Sequence, residues 1–66
     1  MKEEDLIVGK RYTLYNNYKV KYIKKYAGGF YFESQDLKGV CMQGIGDYVE
    51  GLYGFTELTL KELKEL

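Results

Sequence analysis

Along residues 10–26 apolar and polar side chains alternate. Tyr12 and Leu14 are interleaved with Arg11, Thr13 and Tyr15, and Val20 and Tyr22 with Lys19 and Lys21. A period of two marks strands with one face in a core and the other in water, so strands are expected over residues 10–15 and 19–26. Gly9, after Leu6-Ile7-Val8, turns the chain into the first strand. Asn16-Asn17 between the strands is a turn signal, because asparagine tolerates the left-handed region. A two-residue Asn16-Asn17 loop sets Leu14 opposite Lys19 and Tyr12 opposite Lys21. A three-residue loop, Asn16 to Tyr18, sets Leu14 opposite Val20 and Tyr12 opposite Tyr22. Only the odd loop keeps one face apolar, and a slip of one residue would expose the whole set. The alternation then breaks at Ile23, which predicts a bulge or bend near Ile23-Lys24.

Ala27-Gly28-Gly29 predicts a hairpin turn and residues 30–35 a third strand. A Gly28-Gly29 loop would set Lys24 opposite Glu33, a favourable cross-strand pair. Asp36-Leu37-Lys38-Gly39 reads as a further turn and residues 40–43 as a short fourth strand. Gly44, Gly46, Gly51 and Gly54 make the next segment a loop that ends in a short strand around Leu52 to Phe55. Thr59 followed by Glu62 forms a capping box, with Leu58 and Leu63 in the positions of a hydrophobic staple, so a helix is expected over residues 59–66. Leu60 and Leu63, and Leu66 at its end, would face inward. Two turns are too few to stand alone, so this helix would dock on the sheet. The expected core is Tyr12, Leu14, Val20, Tyr22, Phe30 or Phe32, and Leu63. The fold class is mainly β: one domain over residues 1–66, a small barrel or strongly curved antiparallel sheet, with a flexible stretch over residues 1–5 and a short C-terminal helix.

The run Val8-Gly9-Lys10-Arg11-Tyr12-Thr13-Leu14, then Asn16-Asn17, then Val20-Lys21-Tyr22-Ile23, resembles the SH3-like small-barrel group. Similar openings occur in short uncharacterised proteins of bacteriophages and mobile elements. The resemblance implies a binding domain, and for a phage-like protein a partner in the host. The chain has no tryptophan, which the peptide groove of SH3 domains uses.

Composition narrows the chemistry. A chain of 66 residues has room for one small core. One cysteine excludes an internal disulfide, and without histidine a tetrahedral Cys/His zinc site is not expected. Stability is left to aromatic packing among eight tyrosines and three phenylalanines, or to self-association. The acidic start, Met1-Lys2-Glu3-Glu4-Asp5, is unlike a secretory leader, and the lone cysteine fits a reducing compartment; a cytoplasmic protein is expected, with no membrane span and no cofactor. No histidine is present to activate Ser34 or Cys41, so the chain reads as non-enzymatic, with Cys41 as a small buried hydrophobe. Gly44-Ile45-Gly46 lacks the third glycine and the length of a dinucleotide site. Asp36, Asp47 and Glu50 lack the spacing of a calcium loop.

The formal net charge is zero, but it is sorted: −2 over residues 1–5, +6 over 6–32 and −4 over 33–66. The cationic segment also holds six of the eight tyrosines. Arg11, Tyr15, Tyr18, Lys19, Lys21, Lys24 and Lys25 are therefore the candidate partner-binding residues, with Lys19 and Lys21 sharing the outer face with Tyr15. Three classes of function fit. The first is a protein–protein interaction or inhibitor module, for which tyrosine is a preferred anchor and the cations suit an acidic surface. The second is a nucleic-acid-binding small barrel in which bases stack on tyrosines and phosphates meet lysines. The third is a structural homo-oligomer subunit.

Overall fold

The computed structural model describes residues 1–39 and 44–66, and of Asp47 the backbone alone. The expected strand over residues 40–43, and with it Cys41, lies outside the described residues. Six strands form a single antiparallel sheet: β1 (Arg11–Leu14), β2 (Tyr18–Tyr26), β3 (Gly29–Glu33), β4 (Ile45–Val49), β5 (Leu52–Phe55) and β6 (Leu63–Glu65). Their order is β4-β5-β3-β2-β1-β6, and the sheet is open. A single helical turn, α1 (Glu57–Leu60), joins β5 to β6, and a 3₁₀ turn spans Glu3–Asp5.

One sheet can enclose a core only by curling. Tyr12, Leu14, Val20, Tyr22, Phe30, Phe32, Phe55 and Leu63 all lie on its concave face, and Leu37 and Leu60 close over them. All six expected core positions are buried, each about 1.5–3 kcal/mol better off than in water. Phe32 and Phe55 stack at 4.4 Å, and Tyr22 tilts against Phe32 at 5.2 Å. Tyr12 is wholly buried, yet its hydroxyl accepts from the Ile7 amide at 2.9 Å, so its polar tip is satisfied at the edge of the core.

The first hairpin keeps the expected face and shifts the expected register. Tyr12 faces Val20 and Leu14 faces Tyr18, so the three-residue loop is Tyr15-Asn16-Asn17 rather than Asn16 to Tyr18. Tyr15 and Asn16 both have positive φ, 54° and 57°, and the Asn17 amide closes the turn on Leu14 O. A slip of two residues leaves every side chain on its own face, which is why the core assignment survives it. The register of β2 against β3 shifts between Tyr22 and Lys24, the expected bulge at Ile23. The second loop is Ala27-Gly28, which pairs Tyr26 with Gly29, and Glu33 faces Lys21 instead of Lys24.

Two elements differ from expectation more deeply. Residues 45–49 form β4 rather than loop, joined to β5 through Glu50 and Gly51, whose φ values of 53° and 82° make a tight hairpin turn. The C-terminal segment is not a helix over 59–66. Helix α1 begins after Thr56 and ends at Leu60, and residues 63–65 pair with β1. A short exposed helix gains little in isolation. As a strand, the same residues satisfy the outer backbone edge of β1 and bury Leu63 opposite Leu14. Leu58 and Leu66 are consequently exposed. In the N-terminal stretch the Met1 amine donates to Leu60 O, and Glu3, the first residue of the 3₁₀ turn, pairs with Lys25.

Candidate binding surface

The bulge decides where the cations go. Before it, Tyr18, Val20 and Tyr22 point to the core, leaving Lys19 and Lys21 on the convex face. After it the parity inverts: Lys25 sits opposite buried Phe30, and Lys24 sits opposite Tyr31. The convex face of β2 therefore carries Lys19, Lys21, Lys24 and Tyr26 in line, and Lys25 lies at the rim of the core face.

Arg11 lies directly opposite Lys21, and Lys21 opposite Glu33, so three strands present a lateral row of two cations and one acid. Lys19 stands two residues along β2, opposite Thr13. Beside this cluster the chain after β3 forms a wall. The Ser34 hydroxyl donates to Lys19 O at 2.7 Å and accepts from the Asp36 amide at 3.1 Å. The Asp36 carboxylate accepts the Lys19 amide at 2.9 Å. Side chains thus continue the ladder of β2 where the backbone of β3 leaves it. Between wall and sheet lies a groove of about 300 Å³, lined by Arg11, Lys19, Lys21, Glu33, Gln35 and Asp36 among others.

The candidate residues are not brought to one place. Arg11, Lys19 and Lys21 share the groove. Lys24 lies farther along the convex face with its ammonium 5.8 Å from the Tyr31 ring, and Tyr31 stacks on Tyr26 at 4.1 Å. Lys25 is paired with Glu3, whose hydrogen bond and charge raise the lysine pKa above its ordinary value. Lys10, outside the candidate set, pairs with Glu65; that bond raises the lysine pKa and lowers that of the carboxylate. Arg11, Lys19, Lys21 and Lys24 pair with no carboxylate among the described side chains. Tyr18 packs against the core from its edge, and Tyr15, in the left-handed region of the turn, has left the alternation that would have set it beside Lys19.

Sequence reasoning missed Ser34, Gln35 and Asp36 as groove residues. The available signal was Ser34-Gln35-Asp36 itself, a pair of hydroxyl and carboxylate side chains that bond to nearby backbone in turns. A second patch lies on the β4–β5 hairpin. Tyr48 faces Tyr53 with ring centroids 4.7 Å apart, and Tyr48 and Val49 are exposed. Burial raises the Tyr53 pKa. No described helix is long and apolar enough to cross a membrane. Set against family models, curated proteins and solved structures, the chain finds no match in any of the three.

Proposed function

We propose that this chain is a non-enzymatic protein-binding module, an SH3-like small barrel that acts by occupying a surface of another protein with the convex face of β1 and β2. Support for the barrel is the bulged β2, the curl of the antiparallel sheet around one core, and the helical turn before the last strand. The observation that carries the functional reading is the mixed sign of the groove. Arg11, Lys19 and Lys21 are flanked by Glu33 and Asp36. A nucleic-acid backbone carries a negative charge at every step, so some of its phosphates would have to meet those two acids, whereas a peptide can set carboxylates against the cations and neutral residues against the acids. A protein surface offers discrete charges that fit such a mosaic, with like-charge contacts rejecting wrong partners. Two further facts weigh against nucleic acid. Lys10 and Lys25 are engaged by Glu65 and Glu3, and Tyr15 and Tyr18 form no stacking platform beside the lysines.

Capture from cell lysate with and without nuclease tests the reading. Wild type retains its partner after nuclease treatment, and the double variant Lys19→Glu with Lys21→Glu loses it. Fluorescence anisotropy with labelled single- and double-stranded oligonucleotides at low salt shows no binding at micromolar protein. Nuclease-sensitive capture, or tight oligonucleotide binding, would reverse the assignment in favour of nucleic acid.

A further inference from the structure

The partner's chemistry can be read from the spacing of the cations. Arg11 and Lys21 are direct cross-strand neighbours. Side chains so placed stand about 4.5–5.5 Å apart at Cβ, where like charges destabilise the sheet. Neither forms an ion pair with a carboxylate among the described side chains, although Lys21 faces Glu33 on its other flank. Across β2 Arg11 meets only Lys21, whereas the preceding Lys10 pairs with Glu65 of β6. The Arg11 side of the row is poised for an anion from outside. Arginine supplies a planar fork suited to a carboxylate, and the exposed Gln35 amide on the opposite wall adds donors.

Lys19 and Lys21 fix the direction. They lie two residues apart on one strand, so they are separated by about 6.6–6.8 Å along β2. The groove runs between this strand and a wall held in place by Ser34 and Asp36, which bond to the Lys19 backbone. An extended peptide has the same repeat, with alternate side chains on one face 6.6–6.8 Å apart. From this match we infer that the groove receives an extended acidic segment of a partner protein whose Asp or Glu residues occur at every second position. One carboxylate sits between Arg11 and Lys21 and the next meets Lys19. Glu33 bounds the site, so a longer unbroken run of acids gains nothing. The inference rests on the protein-binding reading and gives that surface a ligand class.

The test compares two peptides of identical composition, Glu-Ser-Glu-Ser-Glu-Ser and Glu-Glu-Ser-Ser-Ser-Glu, with flanking neutral residues, by titration calorimetry at low salt. The alternating peptide binds more tightly, by about fivefold or more, because only it places carboxylates two residues apart on one face. Arg11→Gln with Lys21→Gln weakens it by about tenfold or more. Arg11→Gln alone also weakens it and raises the urea midpoint, because it removes the repulsion with Lys21 and leaves Lys21 facing Glu33; gain of stability with loss of binding is a signature that a structural role does not give. Equal affinity for the two peptides, no binding of either, or a lowered urea midpoint overturns the inference. If peptides fail while capture of a protein partner still depends on Lys19 and Lys21, the acidic-strand ligand is wrong and the protein-binding reading stands. If capture is also indifferent to those lysines, both fall.

Discussion

Replacing Gly29 by alanine adds one methyl group at the tightest point of the sheet. An ideal Cβ there lies 2.3 Å from the backbone oxygen of Phe55 and 3.3 Å from its carbonyl carbon. Side chains yield to such a contact, but this is the backbone of a central strand. Strand β5 is held by the Phe30↔Phe55 register, and the Phe55 ring stacks at 4.4 Å on Phe32. Restoring a contact of about 3 Å means moving β3 and β5 apart by roughly 0.7 Å, the scale of overpacking that costs about 1–3 kcal/mol. A weakened ladder bond adds about 1 kcal/mol. The sum, about 2–4 kcal/mol, is a large share of the ~3–10 kcal/mol expected for a domain of this length. With a urea m-value of about 1 kcal/mol/M, the midpoint falls by about 2–4 M. Two controls separate crowding from backbone strain. At Gly51 the space is open but φ is +82°, so Gly51→Ala costs only strain, about 1–2 kcal/mol. At Gly28 the nearest atom is the edge of the Tyr26 ring at 3.2 Å, which can swing, so Gly28→Ala changes stability by less than about 1 kcal/mol. Urea melts followed by circular dichroism give the order. If Gly29→Ala melts at or above Gly51→Ala, β3 and β5 do not approach as described.

Leu63→Ala costs about 2–4 kcal/mol, since Leu63 is buried opposite Leu14, whereas Leu66→Ala, at an exposed position, is near neutral; equal effects in urea melts would contradict the strand assignment. Tyr15→Asn relieves a non-glycine residue from φ 54° and stabilises the fold by about 1 kcal/mol in the same melts; a loss of stability would show that the Tyr15 ring contributes more than its backbone costs. Burial raises the Tyr22 pKa above 10.0, so its contribution is complete below that pH and is lost as pH rises through the folded value; Tyr22→Phe flattens the alkaline decline in urea midpoint, and an unchanged profile would place the loss elsewhere. Lys10 lowers the Glu65 pKa, so this exposed pair acts above the ordinary carboxylate range and fades as pH falls through the folded value; Glu65→Gln gives a slightly shallower acid limb, and an identical limb would show that the pair is inert.

What the sequence disclosed was what neighbouring residues decide. Tyr12, Leu14, Val20 and Tyr22 declare a buried face by alternation, and the break at Ile23 declares the bulge. The turn was misplaced by one residue because Asn16-Asn17 is the stronger local signal, while a tyrosine in the left-handed region is held there by the strands on either side. β4 was hidden by Gly46 and by the glycines on either side of it, which lower strand propensity. Pairing with β5 outweighs that local signal; Gly46 itself is not crowded, since a Cβ there would lie 3.4 Å from Gly54 O and 3.7 Å from the Tyr26 hydroxyl. The C-terminal helix had a sound local argument in Thr59 and Glu62 and lost to a partner strand about fifty residues away. The same distinction runs through the site. Its cations are visible in composition, but the wall is made by Ser34 and Asp36 reaching Lys19 across 15 and 17 positions.

The position of β1 between β2 and β6 sets a kinetic asymmetry. On one side it meets β2 through a three-residue turn, a closure of the kind completed in microseconds. On the other it waits for residues far along the chain; Lys10 and Glu65 are 55 positions apart. Contacts of that span close slowly, because the chain loses loop entropy before any contact repays it. Until β6 arrives, β1 presents an unpaired edge bordered by Tyr12 and Leu14. Another molecule in the same condition can pair with it. Refolding yield should therefore fall with protein concentration, and a peptide matching residues 61–66, added in excess, should compete for that edge and slow the final phase.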